Sequence, residues 1–178
     1  EGWAETVLGE PDVDRLWEAV AVTVRLDEDD PVAAWHEHMD RLDARARTLD
    51  ELRLNASRLS GPGTDLTVGL LPQSAWRSGR QEIGGRRFVA NMPTEEVLVT
   101  PDRSRAEGTV RSTRPLSLNG TMVRGLEMRI KDGAIVDVQA ETGAETVREQ
   151  LATDEGAVRL GELALVDGES RVARTGLT

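Results

Sequence analysis

The period of the hydrophobic pattern changes once along this chain, near Asn55, and that change restricts the folds available to it. Before Asn55, apolar residues recur every three or four positions, which is the spacing of an amphipathic helix. After Asn55, short segments alternate apolar and polar residues and are rich in β-branched side chains, as strands are. The sequence therefore predicts a helical segment over residues 1–54 and a β-rich segment over residues 55–178.

Two helices are predicted in the first segment. One follows Pro11-Asp12, and the other follows Asp30, which can cap it, with Pro31 at the first helical position. A short acidic linker, residues 27–30, separates them and precedes the positive dipole end of the second helix. A short connection of this kind favours an antiparallel helical hairpin.

Turn residues organise the second segment. The pairs Asn119-Gly120 and Asp132-Gly133 each lie between two strand-like segments and favour the positive φ angles of a tight hairpin turn. A short helix is predicted over residues 144–152 and a further strand over residues 160–167. The predicted fold class is α+β: a helical hairpin, then a mostly antiparallel, barrel-like β region with one short helix.

Composition excludes several classes of protein. The chain has 178 residues, no Cys and a formal charge of −10, so it is not a small disulfide-built scaffold. An acidic chain lacks the basic face that nucleic-acid binding requires. The sequence contains no apolar run of about 18 residues, so no membrane-spanning segment is predicted. Cytoplasmic localisation is the expectation that follows.

Histidine and cysteine chemistry is also restricted. The two histidines, His36 and His38, lie two residues apart on the predicted second helix and point in different directions, so they are not expected to hold one metal ion. Without Cys there is no thiol nucleophile, and a serine would lack an activating histidine. Carboxylates remain as the candidate functional groups.

Three glutamates stand out among the carboxylates. Glu95 and Glu96 come at a predicted strand start after Pro93, and Glu162 lies inside the predicted apolar strand near the end of the chain. Because a strand alternates its faces, only one of Glu95 and Glu96 can point into a given cavity. A carboxylate in apolar surroundings is costly unless it pairs with a cation. For Glu162, pairing with arginine and binding of a divalent metal both remain open on this pattern.

Four blocks of sequence, residues 16–46, 61–79, 91–120 and 152–166, together resemble the aminopeptidase T / aminopeptidase S family of bacterial metallo-aminopeptidases. The resemblance implies a larger two-domain enzyme with two divalent metal ions (Zn, Co, Mn or Mg), peptide substrates and a homodimeric state. It places the first family glutamate at Glu96, with Glu95 as the competing register, and the second at Glu162.

The resemblance also implies what this chain lacks. Family members continue beyond the final residues into a segment that holds two His, an Asp and a Tyr of the metal site, and His36 and His38 do not match them. The sequence therefore predicts an internal fragment that carries two metal ligands and no catalytic residue, and that is inactive by itself. The alternative is a non-catalytic, β-rich binding or assembly module whose acidic residues are solvated surface.

Overall fold

The computed structural model describes residues 1–175 and contains five helices and eleven strands within them. The helices are α1 (Gly2–Leu8), α2 (Val13–Thr23), α3 (Pro31–Glu51), α4 (Ala144–Leu151) and α5 (Arg171–Thr175). The strands are β1 (Ala56–Gly61), β2 (Thr64–Leu70), β3 (Arg80–Ile83), β4 (Arg86–Val89), β5 (Glu96–Val99), β6 (Pro101–Arg111), β7 (Leu116–Leu118), β8 (Thr121–Val123), β9 (Glu127–Lys131), β10 (Ala134–Gln139) and β11 (Leu163–Val166). No described helix is long and apolar enough to cross a membrane.

The chain divides into two compact units, each built from separate stretches of sequence. The first unit contains residues 1–52, 76–98 and 164–178, and the second contains residues 53–75 and 99–163. The first unit holds α1, α2, α3, α5, the β3–β4 hairpin and most of β5 and β11. The second holds α4 and the remaining strands.

The helices α2 and α3 of the first unit begin where the sequence predicts. Asp12 accepts a hydrogen bond from the Arg15 N–H (2.9 Å), and Asp30 accepts one from the Ala33 N–H (3.0 Å). Each side chain therefore satisfies one of the amide groups that the first helical turn leaves without a partner. The helix α1 was not predicted. Packing of α2 against α3 as an antiparallel hairpin stays a prediction, whereas α2 contacts α1 and α5.

The second unit is built on an antiparallel five-stranded sheet in the order β1-β2-β6-β9-β10. Since β1 and β10 lie at opposite edges, the sheet is open, and none of the sheets within residues 1–175 closes into a barrel. The predicted barrel-like arrangement is therefore wrong. Closure depends on strand tilt and stagger over the whole sheet, which local sequence patterns do not report.

Predicted turns and the short helix are confirmed in the second unit. Asn119 and Gly120 join β7 to β8 with φ angles of 50° and 78°, and Asp132 and Gly133 join β9 to β10 with φ angles of 51° and 76°. The helix α4 lies against β10, and Val147 joins a buried apolar cluster with Val123, Leu126 and Val138.

Candidate functional site

Glu95 and Glu96, the two competing metal ligands, lie in different surroundings at the start of β5. Glu95 is buried, with 9% of its surface exposed, whereas Glu96 is the first residue of β5 and is half-buried. Thr94, directly before them, is also buried. Adjacent residues in extended chain point to opposite sides, which explains how neighbouring glutamates meet such different environments.

The buried carboxylate of Glu95 is held by cationic and amide groups of the first unit. The Nη2 atom of Arg25 lies 2.8 Å from Glu95 Oε1, and the backbone N–H of Arg171 donates to Glu95 Oε2 (3.2 Å). Oε1 has no well-aligned hydrogen bond in the described residues, so the Arg25 contact is an ion pair by proximity. Arg25 is itself buried, and the charge that Glu95 brings inside is therefore compensated.

His38 completes this cluster from α3. Its Nε2 lies 2.8 Å from the carbonyl oxygen of Thr94, and because a carbonyl only accepts, Nε2 carries the proton and donates. The same nitrogen is 3.8 Å from Glu95 Oε1. Burial lowers the pKa of His38 and outweighs the Thr94 hydrogen bond and the charge of Glu95, which act to raise it. Nε2 is thus engaged in the fold, and His36, which is exposed, is not part of the cluster.

An aromatic ring and a second arginine surround the cluster. Trp35 stands edge-on to His38, with ring centroids 5.5 Å apart, and the guanidinium of Arg25 lies 4.7 Å from the Trp35 ring centroid. The side chain of Arg171 pairs with Asp27 (2.6 Å) and with Glu28, both in the acidic linker after α2. Each buried charge in this part of the first unit therefore has an opposite charge or an aromatic face beside it.

A polar cavity of about 320 Å³ in the first unit borders the cluster. It is lined by arginines and carboxylates: Arg25, Arg41, Arg45, Arg171, Arg174, Glu95, Asp167 and Glu169. The outer charges are paired, Arg45 with Asp167 and Arg174 with Glu169. The arginine-rich lining is therefore largely neutralised and does not by itself mark an anion site.

Glu162 does not lie where its sequence pattern indicates. The predicted strand begins at residue 160, but β11 begins at Leu163, so Glu162 precedes the strand and is exposed. The expectation of a carboxylate inside an apolar strand is wrong. Within residues 1–175, neither Glu96 nor Glu162 has an ion-pair partner. Both carboxylates are therefore available to a cation.

Glu96 and Glu162 belong to different units. Glu96 begins β5 in the first unit, and Glu162 is the residue before β11, in the second. Each carboxylate, without a cationic partner, is a suitable single ligand for a divalent ion, since hard cations and zinc both accept carboxylate oxygens. Residues 1–175 contain no group of three or more His, Cys, Asp or Glu side chains placed to hold a metal ion. The donors present thus fit a part of such a site and not a whole one.

Pro62 and Gly63 form the turn between β1 and β2, where Gly61 pairs with Thr64. The neighbouring Asp65 accepts two hydrogen bonds from the Arg58 guanidinium, at 2.8 and 2.9 Å, and this pairing lowers the pKa of Asp65. The carboxylate is therefore occupied by a surface arginine.

The buried partners of Glu95 were missed by sequence reasoning. Arg25, His38 and Arg171 come from three separate stretches of the chain, and no local spacing connects them. One signal is visible in the backbone: Arg25 follows α2 with a φ angle of 62°, an unusual value for a residue other than glycine. Such a residue needs surrounding structure to hold it, which here includes the ion pair with Glu95.

Comparisons with known proteins cover nearly the whole chain. The family model described as thermophilic metalloprotease (M29) matches residues 1–178. Aminopeptidase T of Thermus aquaticus is 48% identical over 181 residues, and aminopeptidase PepS of Streptococcus thermophilus is 44% identical over 182 residues; each match covers 99% of this chain and 44% of the relative. The solved structure of wild-type AmpT from Thermus thermophilus superposes with a TM-score of 0.91 at 44% identity, over 99% of this chain and 44% of that one. The chain thus spans less than half the length of these relatives.

Proposed function

The chain belongs to the M29 family of thermophilic metalloproteases, and we propose that it is part of a metal-dependent aminopeptidase that removes N-terminal residues from peptides. The observation that carries this proposal is the match across residues 1–178 together with 44–48% identity to proteins named aminopeptidases. The relatives are more than twice as long as the chain, so the activity is proposed for the full-length protein.

Glu96 and Glu162 are the proposed metal ligands of this chain. The absence of an ion-pair partner for either carboxylate within residues 1–175 supports this assignment. Two divalent ions, from among Zn, Co, Mn and Mg, are proposed. Such ions, when bound, polarise a scissile carbonyl and lower the pKa of bound water towards neutrality. The role of Glu96 and Glu162 is to present carboxylate oxygens at that site and to balance the ionic charge.

The isolated chain is proposed to be inactive. Residues 1–175 lack a group of three ligands, and two carboxylates by themselves would hold a divalent ion weakly. Cytoplasmic localisation, expected from the sequence composition, and a homodimeric state of the full-length protein, implied by the resemblance, are further proposals. The alternative, a non-catalytic binding module, would be favoured if Glu96 and Glu162 lay on opposite faces or both met arginine; among the candidate ligands, the one that pairs with arginine within residues 1–175 is Glu95.

Purified full-length protein tests the proposal directly. We expect it to hydrolyse an aminoacyl-p-nitroanilide, to lose this activity on chelation, and to regain it when Co²⁺, Zn²⁺ or Mn²⁺ is added back. Residues 1–178 prepared alone in the same way should show no activity with any of these metals. Full-length activity that survives exhaustive chelation would contradict the proposal, and activity of the isolated chain would contradict its predicted inactivity.

A further inference from the structure

A buried ion-pair cluster immediately precedes Glu96 along the chain. The side chains of Arg25 and Glu95 are 5% and 8% exposed, and their charged atoms lie 2.8 Å apart. A buried ion pair is seldom a net source of stability, because desolvation of both charges offsets their attraction. Its presence directly beside a proposed metal ligand therefore points to a role in arranging the chain.

Contacts of the cluster fix the backbone that leads into Glu96. The carbonyl oxygen of Thr94 accepts the His38 Nε2–H, and the Glu95 carboxylate is held by Arg25 and by the N–H of Arg171. The peptide plane between residues 94 and 95 and the side chain of Glu95 are therefore both restrained. Both restraints act within two residues of the Glu96 side chain.

Close packing restrains Thr94 from its other side. Gly79 lies so near that a Cβ atom at that position would come within 2.6 Å of Thr94 Oγ1 and 2.7 Å of Thr94 Cγ2. Only a residue without a side chain allows this approach. Leu98, two residues after Glu96, is in turn held by a pair of backbone hydrogen bonds with Arg77, at 2.8 and 2.9 Å. The Glu96 position is thus restrained before and after it in sequence.

The partners of Glu95 also separate its role from that of Glu96. One carboxylate oxygen of Glu95 lies beside Arg25 and the other accepts an amide hydrogen bond, so a bound cation would have to displace a buried guanidinium. Glu96 meets no cationic side chain within residues 1–175. The two adjacent carboxylates therefore have different roles: Glu95 is occupied within the fold, and Glu96 is free to bind a cation.

We propose that Glu95 is a positioning residue and not a metal ligand, and that the Arg25–Glu95–His38 cluster sets the backbone from which Glu96 presents its carboxylate to a divalent cation. This inference rests on the proposed function, because it takes Glu96 as a ligand. It resolves the competing register between Glu95 and Glu96 in favour of Glu96. It also gives Arg25 and His38, which resemblance does not identify as ligands, a role in the site.

The test measures Co²⁺ binding to the metal-free full-length protein by equilibrium dialysis, for the wild type, Glu95→Gln and Glu96→Gln. Loss of a ligand lowers the number of ions bound at saturation, whereas loss of a residue that orients a ligand weakens affinity without changing that number. For Glu95→Gln we expect unchanged stoichiometry and a dissociation constant raised by about 10–100-fold, as outer-shell substitutions do. For Glu96→Gln we expect fewer ions bound at saturation.

Two controls separate positioning from general loss of stability. Glu145→Gln makes the same chemical change at an exposed carboxylate that pairs with Arg148, and it should leave Co²⁺ affinity unchanged. Leu42→Ala creates a cavity at a residue of the first unit that is 1% exposed, so it lowers stability without removing a charge. If Leu42→Ala weakened Co²⁺ affinity as much as Glu95→Gln, the effect would be merely structural and the inference would be overturned.

A second variant covers the case in which Glu95→Gln does not fold. Arg25→Lys keeps the positive charge but replaces the planar guanidinium with a single ammonium group. We expect it to weaken Co²⁺ affinity relative to the wild type, at unchanged stoichiometry. Wild-type affinity in Arg25→Lys would then overturn the inference.

The remaining outcomes distinguish a failure of the positioning role of Glu95 from a failure of the proposed metal site. Reduced stoichiometry in Glu95→Gln with full stoichiometry in Glu96→Gln would make Glu95 the ligand and overturn the inference, while the metal site itself would stand. Unchanged affinity in Glu95→Gln with reduced stoichiometry in Glu96→Gln would keep Glu96 as the ligand but show that Glu95 does not position it, and would also overturn the inference. Unchanged Co²⁺ binding in both variants would refute Glu96 as a ligand, and the proposed metal site of this chain would fail together with the inference.

Discussion

The two units differ in what they bury. Every buried polar or charged residue found within residues 1–175 lies in the first unit: Thr23, Arg25, His38, Thr94, Glu95 and Ser170. The described core of the second unit is apolar, with Val68, Val123 and Ile130 each no more than 1% exposed. Its ion pairs, such as Arg58 with Asp65, are exposed to solvent.

The first unit thus carries the desolvation cost of buried charged side chains, which folding alone does not require. An apolar core on an antiparallel sheet satisfies its backbone by strand pairing and needs no buried charge. Buried charged residues are expensive unless paired, and local departures from simple folding rules are expected at functional sites. The first unit, which contains Glu96 at the start of β5, has this character, whereas the second unit, which contains Glu162, has an apolar described core.

The largest effect in this comparison is expected from breaking the buried ion pair. Arg25→Met should leave Glu95 buried without its counter-charge and lower the free energy of unfolding by about 3–5 kcal/mol. Urea unfolding of the full chain, followed by circular dichroism, measures it. Arg58→Met, at an exposed pair, is the matched control and should change stability far less. Equal effects of the two substitutions would remove the distinction between buried and exposed pairs.

In the second unit, a large effect should come from an apolar truncation. Ile130 on β9 is 1% exposed, and Ile130→Ala should lower the free energy of unfolding by about 2–5 kcal/mol through lost burial and a residual cavity. The exposed Val136 on β10 offers a control, since Val136→Ala removes apolar atoms that are already in contact with water. The same urea titration compares the two variants. A cost for Ile130→Ala no greater than for Val136→Ala would contradict an apolar core in this unit.

A smaller effect is expected at the turn between β9 and β10. Gly133 has a φ angle of 76°, and a Cβ atom there would lie 2.1 Å from the carbonyl oxygen of Arg103. Gly133→Ala should therefore lower the free energy of unfolding, by about 1–2 kcal/mol for the left-handed backbone and by more for the contact, and the melting temperature should fall with it. Gly84→Ala, also at positive φ but with open space around it, isolates the backbone contribution. A melting temperature lowered less in Gly133→Ala than in Gly84→Ala would contradict this account.

The smallest effect concerns pH and belongs to the first unit. The pKa of His38 is lowered in the folded protein by burial, so above about pH 6.5 His38 is neutral in both the folded and unfolded states and its contribution is complete. Below that pH the unfolded state takes up a proton that the folded state does not, and stability falls until the folded pKa is passed. The slope from this one group is at most about 1.4 kcal/mol per pH unit.

Urea midpoints of the wild type and His38→Gln between pH 7.5 and 5 measure this slope. The stability of the wild type should fall more steeply with decreasing pH than that of His38→Gln. His36→Gln, which alters the other histidine, serves as the control. Its stability should fall with decreasing pH as steeply as that of the wild type. Parallel pH profiles for the wild type and His38→Gln would show that burial of His38 does not influence stability in this range.

Local signals predicted much of the architecture. Asp12 and Asp30 cap helices because a side-chain oxygen three residues before a free amide is a local arrangement. The hairpin turns at Asn119-Gly120 and Asp132-Gly133 follow from residues that tolerate positive φ. The helix α4 was also predicted to within one residue of its end.

Long-range arrangements were not predictable in the same way. Glu162 was predicted inside a strand because Leu160 and Ala164 flank it in sequence, but its exposure depends on where β11 begins to pair with β5. The barrel-like description failed for a related reason, because sheet order decides whether edge strands meet. Neither property is a function of the nearest few residues.

What the sequence by itself determined is where α2, α3 and α4 begin, two of the tight turns and, through resemblance, a family and a pair of candidate ligands. These depend on spacing, capping and turn chemistry, which act over a few residues. Only the tertiary structure distinguished Glu95 from Glu96, adjacent residues of the same type. It does so because Arg25 and Arg171, 70 residues before and 76 residues after Glu95, come to its carboxylate and leave Glu96 without a cationic partner among residues 1–175.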